Sequence, residues 1–326
     1  MVNVLETRNF PVQELRLLAS PRSAGKRVDG HLVEAIREEA FEGCDIAIFD
    51  TPDEVAREWV PQATARGCVV IDNSAAFRLD REVPLVIPEI NAHRILDRPR
   101  NIIANPNCTT ATFLVPLAPL HRAFGLRWAV VCSYQSVSGA GQRGTEQLWL
   151  EMRAMVERGE PLTEPLGDAF PHPIACNLLP AIGSVKEDGW TSEERKALLE
   201  SRKILELPDL EVAVTCVRVP TLVGHGVAVH AAFTRTPTPE EARKVLSGAP
   251  GIEVVDDPLR HRYPTPLGAA SRDPVYVGRI RRDGMGNLAF FAVADNLRKG
   301  AALNAVQIAE VLIARDPSLG KAPVRR

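Results

Sequence analysis

No two of the six cysteines (Cys44, Cys68, Cys108, Cys132, Cys176 and Cys216) stand in Cys-x-x-Cys spacing. In a chain of 326 residues with an ordinary share of apolar side chains, that scatter argues against a disulfide framework and offers no zinc-ligand pattern. The seven histidines are equally dispersed, without a paired helical spacing, so no metal is expected. No apolar run approaches the roughly 18 residues of a membrane span, and the opening residues carry no signal-peptide core. A formal net charge of -2 and a pI near 6.4 supply neither a basic field nor an acidic tail. Nucleic acid and membranes are therefore not expected partners, and the expected compartment is a reducing cytoplasm. Internal repeats and low-complexity segments are also missing.

What is present is a globular composition, 45% hydrophobic and 25% charged, with length enough for two domains of about 100–200 residues. The first half alternates strand and helix signals. "CDIAIFD" reads as a strand ending in Asp50, "DEVAREWVPQATARG" as a helix closed by Gly67, and "CVVIDN", "PLVIPEI" and "NIIAN" as further strands. Strands apolar throughout and separated by helices indicate a parallel sheet covered on both faces. Polar residues gather where these strands end (Asp50, Asp72, Asn73, Ser74), the place where doubly wound sheets bind ligands.

From "RWAVVCSYQSVSG" onward the strands lengthen and partly alternate, as in "LEVAVTCVRVP", "GVAVHAAFTR", "PVYVGRIRRD" and "NLAFFAVADN". That pattern predicts a mixed or antiparallel sheet with helices on one face. Thr191 and Glu194 in "TSEERKALLESRKIL" have capping-box spacing. The final helix, "GAALNAVQIAEVLI", is amphipathic and is expected to pack back on the first domain, with "KAPVRR" as a frayed end. The fold class that follows is α/β: a doubly wound domain of the kind that binds dinucleotides over 1–106, joined by 297–326, and an α+β domain with a mixed sheet over 107–296.

Between the strand "NIIAN" and the helix of Thr112 to His121 lies a polar knot, Asn105-Pro106-Asn107-Cys108-Thr109-Thr110. Thr109 or Thr110 could cap the helix. Cys108 thus falls beside a helix N-terminus, where aligned dipoles favour an anion and hence a nucleophilic thiolate. A buried cysteine packing as a small apolar residue is the plainer alternative. "SYQSVSGAG" follows a strand and could be an ordinary turn or a close approach to a ligand. Arg218 and His225 in "VRVPTLVGHG" could each be structural, and Glu193 with Lys196 could be a surface ion pair on one helix face.

Taken together these strings narrow the choice. "LLASPRSAGK", "IDNSAAFRLDREVPLVIPEIN", "NIIANPNCTT", "SYQSVSGAG", "TCVRVPTLVGHG" and "ADNLRKGAALNAVQIAE" occur in the order found in aspartate-semialdehyde dehydrogenases. The resemblance spans nearly the whole chain. The related N-acetyl-glutamyl-phosphate reductases typically carry glycine before the catalytic cysteine and tyrosine after it, whereas Asn107 and Thr109 stand here. The aspartate branch is favoured.

The resemblance implies NADPH-dependent reduction of L-4-aspartyl phosphate to L-aspartate 4-semialdehyde and phosphate, a step serving lysine, diaminopimelate, threonine, methionine and isoleucine biosynthesis. Cys108 would form the thioester, His225 would act as acid/base and Gln135 would orient the substrate. Arg218 would grip the α-carboxylate; Arg78, Asn107 and Lys196 would receive the phosphate; and Glu193 would meet the ammonium group. Glu200 and Lys203 repeat the Glu193–Lys196 spacing, but the offset of the earlier pair from Arg218 resembles the family's arrangement. Arg22 and Ser23 resemble the pair that contacts the 2′-phosphate of NADP(H), while Ser138, Gly139 and Asn296 resemble the nicotinamide-side lining. The family forms homodimers.

Two departures accompany the resemblance. "FDTPDEV" stands where many relatives have a small-residue run, which places Asp50 and Asp53 near the cofactor's expected path. No GxGxxG-like turn lies near the start, where "MVNVLETRNFPVQELRLLAS" reads as the end of a first helix followed by a second strand. The expectation drawn from this is that a first central strand is missing and that the chain as given binds NADP(H) poorly. The alternative function is accordingly a truncated or non-catalytic paralogue.

Overall fold

The computed structural model describes residues 1–316, 318 and 319; the tail "KAPVRR" and its expected fraying lie outside them. The chain forms two compact units, Met1–Pro106 with the segment from Ala302 onward, and Asn107–Ala301.

The first unit begins with α1 (Val2–Thr7), then β1 (Leu17–Ala19), β2 (Arg27–Val28) and β3 (His31–Ala35). Next come β4 (Ile46–Phe49), α2 (Asp53–Ala65), β5 (Val69–Asp72), α3 (Pro88–Asn91) and β6 (Ile102–Ala104). Strands β4, β5 and β6 are joined in parallel in that order, as their apolar runs and intervening helices require. The expected single sheet is instead two three-stranded sheets, β1-β3-β2 and β4-β5-β6.

"PLVIPEI" is not a strand. Leu85 makes one bridge to Ala104, and Pro88, which has no N–H to give a ladder but suits the first turn of a helix, opens α3. The two acidic residues of the first turn of α2 lie at the positive end of its dipole, and the Asp53 carboxylate accepts the Ala75 N–H at 2.8 Å.

The second unit contains α4 (Cys108–Phe124), β7 (Leu126–Gln135), α5 (Gly141–Arg158), α6 (Ser192–Leu205), β8 (Glu211–Arg218) and β9 (His225–Phe233). It continues through α7 (Pro239–Ser247), β10 (Ile252–Val254), α8 (Pro266–Ala269), β11 (Val275–Arg282) and β12 (Leu288–Ala294). Its six-stranded sheet has the order β10-β11-β12-β9-β7-β8 and is mixed, with β7 parallel to β8 and antiparallel to β9.

Helices α4, α6 and α7 cover one face. Alternation along β7 sends Ala129, Val131 and Ser133 inward and leaves Val130 and Tyr134 exposed on the other face. Helix α6 starts with the expected reciprocal cap between Thr191 and Glu194. The last helix, α9 (Leu303–Arg315), belongs to the first unit, where Ala305, Ile308 and Leu312 pack with Ile71, Val86 and Ile103. That buried apolar stripe is why the segment returns there.

Candidate active site

Asn107 is the N-cap of α4, in place of the threonines expected there. Its Oδ1 accepts the N–H groups of Thr109 and Thr110 at 2.9 and 3.2 Å. Asparagine in extended geometry satisfies two of the four orphan donors at a helix start, so Cys108 becomes the first helical residue.

The cap is itself held from α6. The Glu193 carboxylate accepts the Asn107 Nδ2–H at 2.8 Å and Glu200 accepts the Asn107 backbone N–H at 2.7 Å. Glu193 and Glu200 are therefore not alternatives: seven residues apart, they share one helix face and grip the same residue. That spacing was a signal available in the sequence. Lys196, more than a third exposed, lies 3.9 Å from Glu193. Gly300 presses on Cys108, since a Cβ there would come within 2.5 Å of the Cys108 Cβ. Cys108 itself is half-buried.

Three strand ends supply the opposing groups. Parallel pairing sets Gln135 at the end of β7 beside Arg218 at the end of β8. Gln135 is buried and its Nε2–H donates to Ser133 Oγ at 3.2 Å. Arg218 is 6% exposed, donates from Nη1 to the Ser136 carbonyl at 2.6 Å, and lies over the Phe170 ring. Burial holds its pKa below the ordinary arginine value, opposed by the fields of Cys108 and Glu193. A buried guanidinium with no carboxylate hydrogen-bonded to it among the described residues is a receptor for an anion.

His225, at the start of β9, is fully buried. Its Nδ1 accepts the Ser136 N–H at 3.2 Å, so the neutral ring carries its proton on Nε2, which has no partner among the described residues. Burial first, and the Arg218 charge second, lower its pKa to about 3.

Ser136, which the sequence reading passed over, thus orients both His225 and Arg218. Its hydroxyl also donates to Asn296 Oδ1 at 3.0 Å. Asn296 Oδ1 accepts the Gly224 N–H at 2.9 Å, and its Nδ2–H donates to Ser138 Oγ at 3.0 Å. A Cβ on Gly139 would lie 2.7 Å from Arg218 Nη1 and 3.3 Å from His225 Nε2. The absent side chain lets the Gly139 backbone lie close against both groups, beside Ser138 and Asn296.

Arg22, Ser23 and Arg78 belong to the first unit. The turn after β1 is closed by the Ser23 N–H to the Ser20 carbonyl at 2.8 Å, and it leaves Arg22 exposed with no carboxylate partner among the described residues. An exposed guanidinium there can receive an anion. Arg78 follows β5, is buried, and donates to the Asn73 carbonyl at 2.6 Å. Asp50, at the end of β4, is exposed.

Comparison with known proteins identifies the family. Residues 117–299 match the family model "Semialdehyde dehydrogenase, dimerisation domain" and residues 1–98 match "Semialdehyde dehydrogenase, NAD binding domain". The fold is thus that of a semialdehyde dehydrogenase, an NAD(P)-dependent oxidoreductase.

Aspartate-semialdehyde dehydrogenase of Aquifex aeolicus is 46% identical over 320 residues, 96% of this chain and 93% of that one, and the Bacillus subtilis enzyme is 42% identical over 322 residues, again 96% and 93%. The crystal structure of aspartate semialdehyde dehydrogenase II of Vibrio cholerae complexed with ASA superimposes with a TM-score of 0.91 at 41% identity, covering 96% of this chain and 94% of that one. This chain belongs to the aspartate-semialdehyde dehydrogenase family. Among the described residues no helix is long and apolar enough to cross a membrane.

Proposed function

We propose that the chain reduces L-4-aspartyl phosphate to L-aspartate 4-semialdehyde, releasing phosphate, with NADP(H) as its redox partner and no metal. The observation that carries this reading is the placing of Cys108 at an asparagine-capped helix start within the electrostatic reach of a buried, anion-receptive Arg218.

Cys108 attacks the acyl carbon; the carbon–sulfur bond forms as the carbon–oxygen bond to phosphate breaks, leaving a thioester. A sulfur nucleophile is suited to this because it both attacks and leaves well. NADPH, when bound, supplies the hydride that takes the thioester to the aldehyde level. His225 meets the oxygen that gains negative charge with its Nε2–H, and collapse breaks the carbon–sulfur bond and returns Cys108 as thiolate. Arg218 holds the α-carboxylate, Glu193 the ammonium group, and Gln135 orients the acyl group. Arg78, Asn107 and Lys196 receive the phosphate. Arg22 and Ser23 take the 2′-phosphate, with Ser138, Gly139 and Asn296 on the nicotinamide side.

The chain works as a homodimer. The match to a dimerisation domain and the exposed apolar Val130 and Tyr134 on the sheet support this. The lack of any disulfide among the described residues, Cys44 and Cys176 included, is compatible with the cytoplasm as its compartment. An assay with aspartate semialdehyde, phosphate and either NADP or NAD tests the reading, which expects phosphate-dependent turnover and a preference for NADP. Turnover independent of phosphate would overturn it.

A further inference from the structure

The stretch between α5 and α6 has little regular structure, yet two buried side chains of α5 hold it by its backbone. Gln147 Oε1 accepts the N–H groups of Ala169 and Phe170 at 2.9 and 3.2 Å, and its Nε2–H donates to Glu151 Oε1 at 2.7 Å. Glu151, with no exposed surface, also accepts the Leu166 N–H at 3.3 Å on Oε1, and those of Ile174 and Ala175 at 2.7 and 3.0 Å on Oε2. A buried carboxylate with no cation beside it among the described residues is costly unless N–H donors saturate it, and here they do. Gly167 lies against this pair so closely that a Cβ would stand 2.7 Å from Gln147 Oε1.

An apolar loop could have been pinned by packing alone. What the polar clamp delivers is specific: the segment it fixes ends on Arg218. The Phe170 ring centre lies 5.9 Å from the Arg218 guanidinium carbon. Leu179 exchanges both backbone hydrogen bonds with Arg218, at 2.8 and 2.9 Å. Phe170, Ile174 and Leu179 also pack with Val137, the residue after Ser136, whose carbonyl receives Arg218 Nη1. The arginine is thus bounded by groups that Gln147 and Glu151 set in place.

We propose that Glu151 and Gln147 are a positioning pair for Arg218, holding residues 166–175 so that Phe170 and Leu179 keep the guanidinium in its carboxylate-receiving pose. This rests on the reading of Arg218 as the group that binds the substrate carboxylate.

The test uses Glu151→Gln in the full chain, where an amide nitrogen replaces one acceptor oxygen and faces N–H groups. The expected result is a KM for aspartate semialdehyde raised by about 10-fold with kcat within about 3-fold of the parent. Alkylation of Cys108 by anionic iodoacetate should slow relative to neutral iodoacetamide, whose own rate stays unchanged. Phe170→Leu, which leaves the clamp intact, should move KM and the alkylation ratio in the same direction, and it carries the test if Glu151→Gln does not fold. Unchanged KM and ratio would overturn the proposal. So would a parallel fall of kcat, kcat/KM and both alkylation rates, which is the signature of a merely structural residue. If the parent chain fails to turn over aspartate semialdehyde, the proposed substrate is wrong, while the alkylation ratio still decides the positioning role.

Discussion

Helix α6 serves two cysteines in opposite ways. At one end of the second unit its Glu193 and Glu200 fasten Asn107, and through that cap they expose Cys108 at the first turn of α4. In the middle of β8 its Glu194 accepts the backbone N–H of Cys216 at 3.1 Å, and that thiol is sealed inside. Burial, assisted by the nearby carboxylates and Cys108, pushes the Cys216 thiol up to about 12. Both thiols lie close to Arg218, yet only one has a helix dipole aimed at it and a path to solvent. On the proposed reading, reactivity belongs to the position on the backbone rather than to the residue type or to nearby charge.

The largest expected effect separates the two directly. Cys108→Ser should lower turnover by several orders of magnitude with little change in stability, since a hydroxyl neither ionises nor leaves as a thiol does. Cys216→Ser should do the reverse, keeping most activity while losing about 1–3 kcal/mol for a more polar group in a fully buried position. Steady-state kinetics and denaturant unfolding of the two variants check this.

Next comes His225. His225→Asn should reduce kcat by about 10²–10⁴-fold with a smaller change in KM, the range for loss of a general acid/base. The same residue makes a pH prediction. Its folded pKa of about 3 lies below the ordinary histidine value of 6.5, so between those values the unfolded chain binds a proton that the folded chain does not. Stability is therefore lost as pH falls from about 6.5 toward 3, by at most about 1.4 kcal/mol per pH unit for this one group. Urea unfolding of His225→Asn should show a shallower decline over that window.

Smaller again is Arg218→Lys, which should raise KM by the equivalent of about 2–4 kcal/mol through loss of a bidentate grip, with kcat less affected. Asn107→Ala should cost about 0.5–2 kcal/mol of stability from the cap alone, together with slower alkylation of Cys108.

These ranks also show what the sequence could and could not disclose. The run of Val69 to Asp72 and the reciprocal cap of α6 were legible, because local periodicity and capping chemistry determine them. The cap of α4 lies two or three residues before the threonines expected to supply it. Asn107 and the two threonines are all competent caps, and only the tertiary hold of Glu193 and Glu200 decides between them. "PLVIPEI" looked like a strand because apolar runs read alike whether they enter a ladder or only cross its end. Ser136 carries no signal at all. Its part in the site is played mostly by its backbone N–H and carbonyl, which every residue possesses.

The central claim is that Cys108 alone carries the acyl group. Incubating the protein with aspartate semialdehyde and NADP in the absence of phosphate, quenching in acid and mapping peptides by mass spectrometry tests it most directly. The account predicts one aspartyl thioester, on the peptide bearing Cys108, discharged when phosphate is added before the quench. An acyl adduct on the peptide of Cys132 or Cys216, or turnover with no adduct on any cysteine, would contradict it.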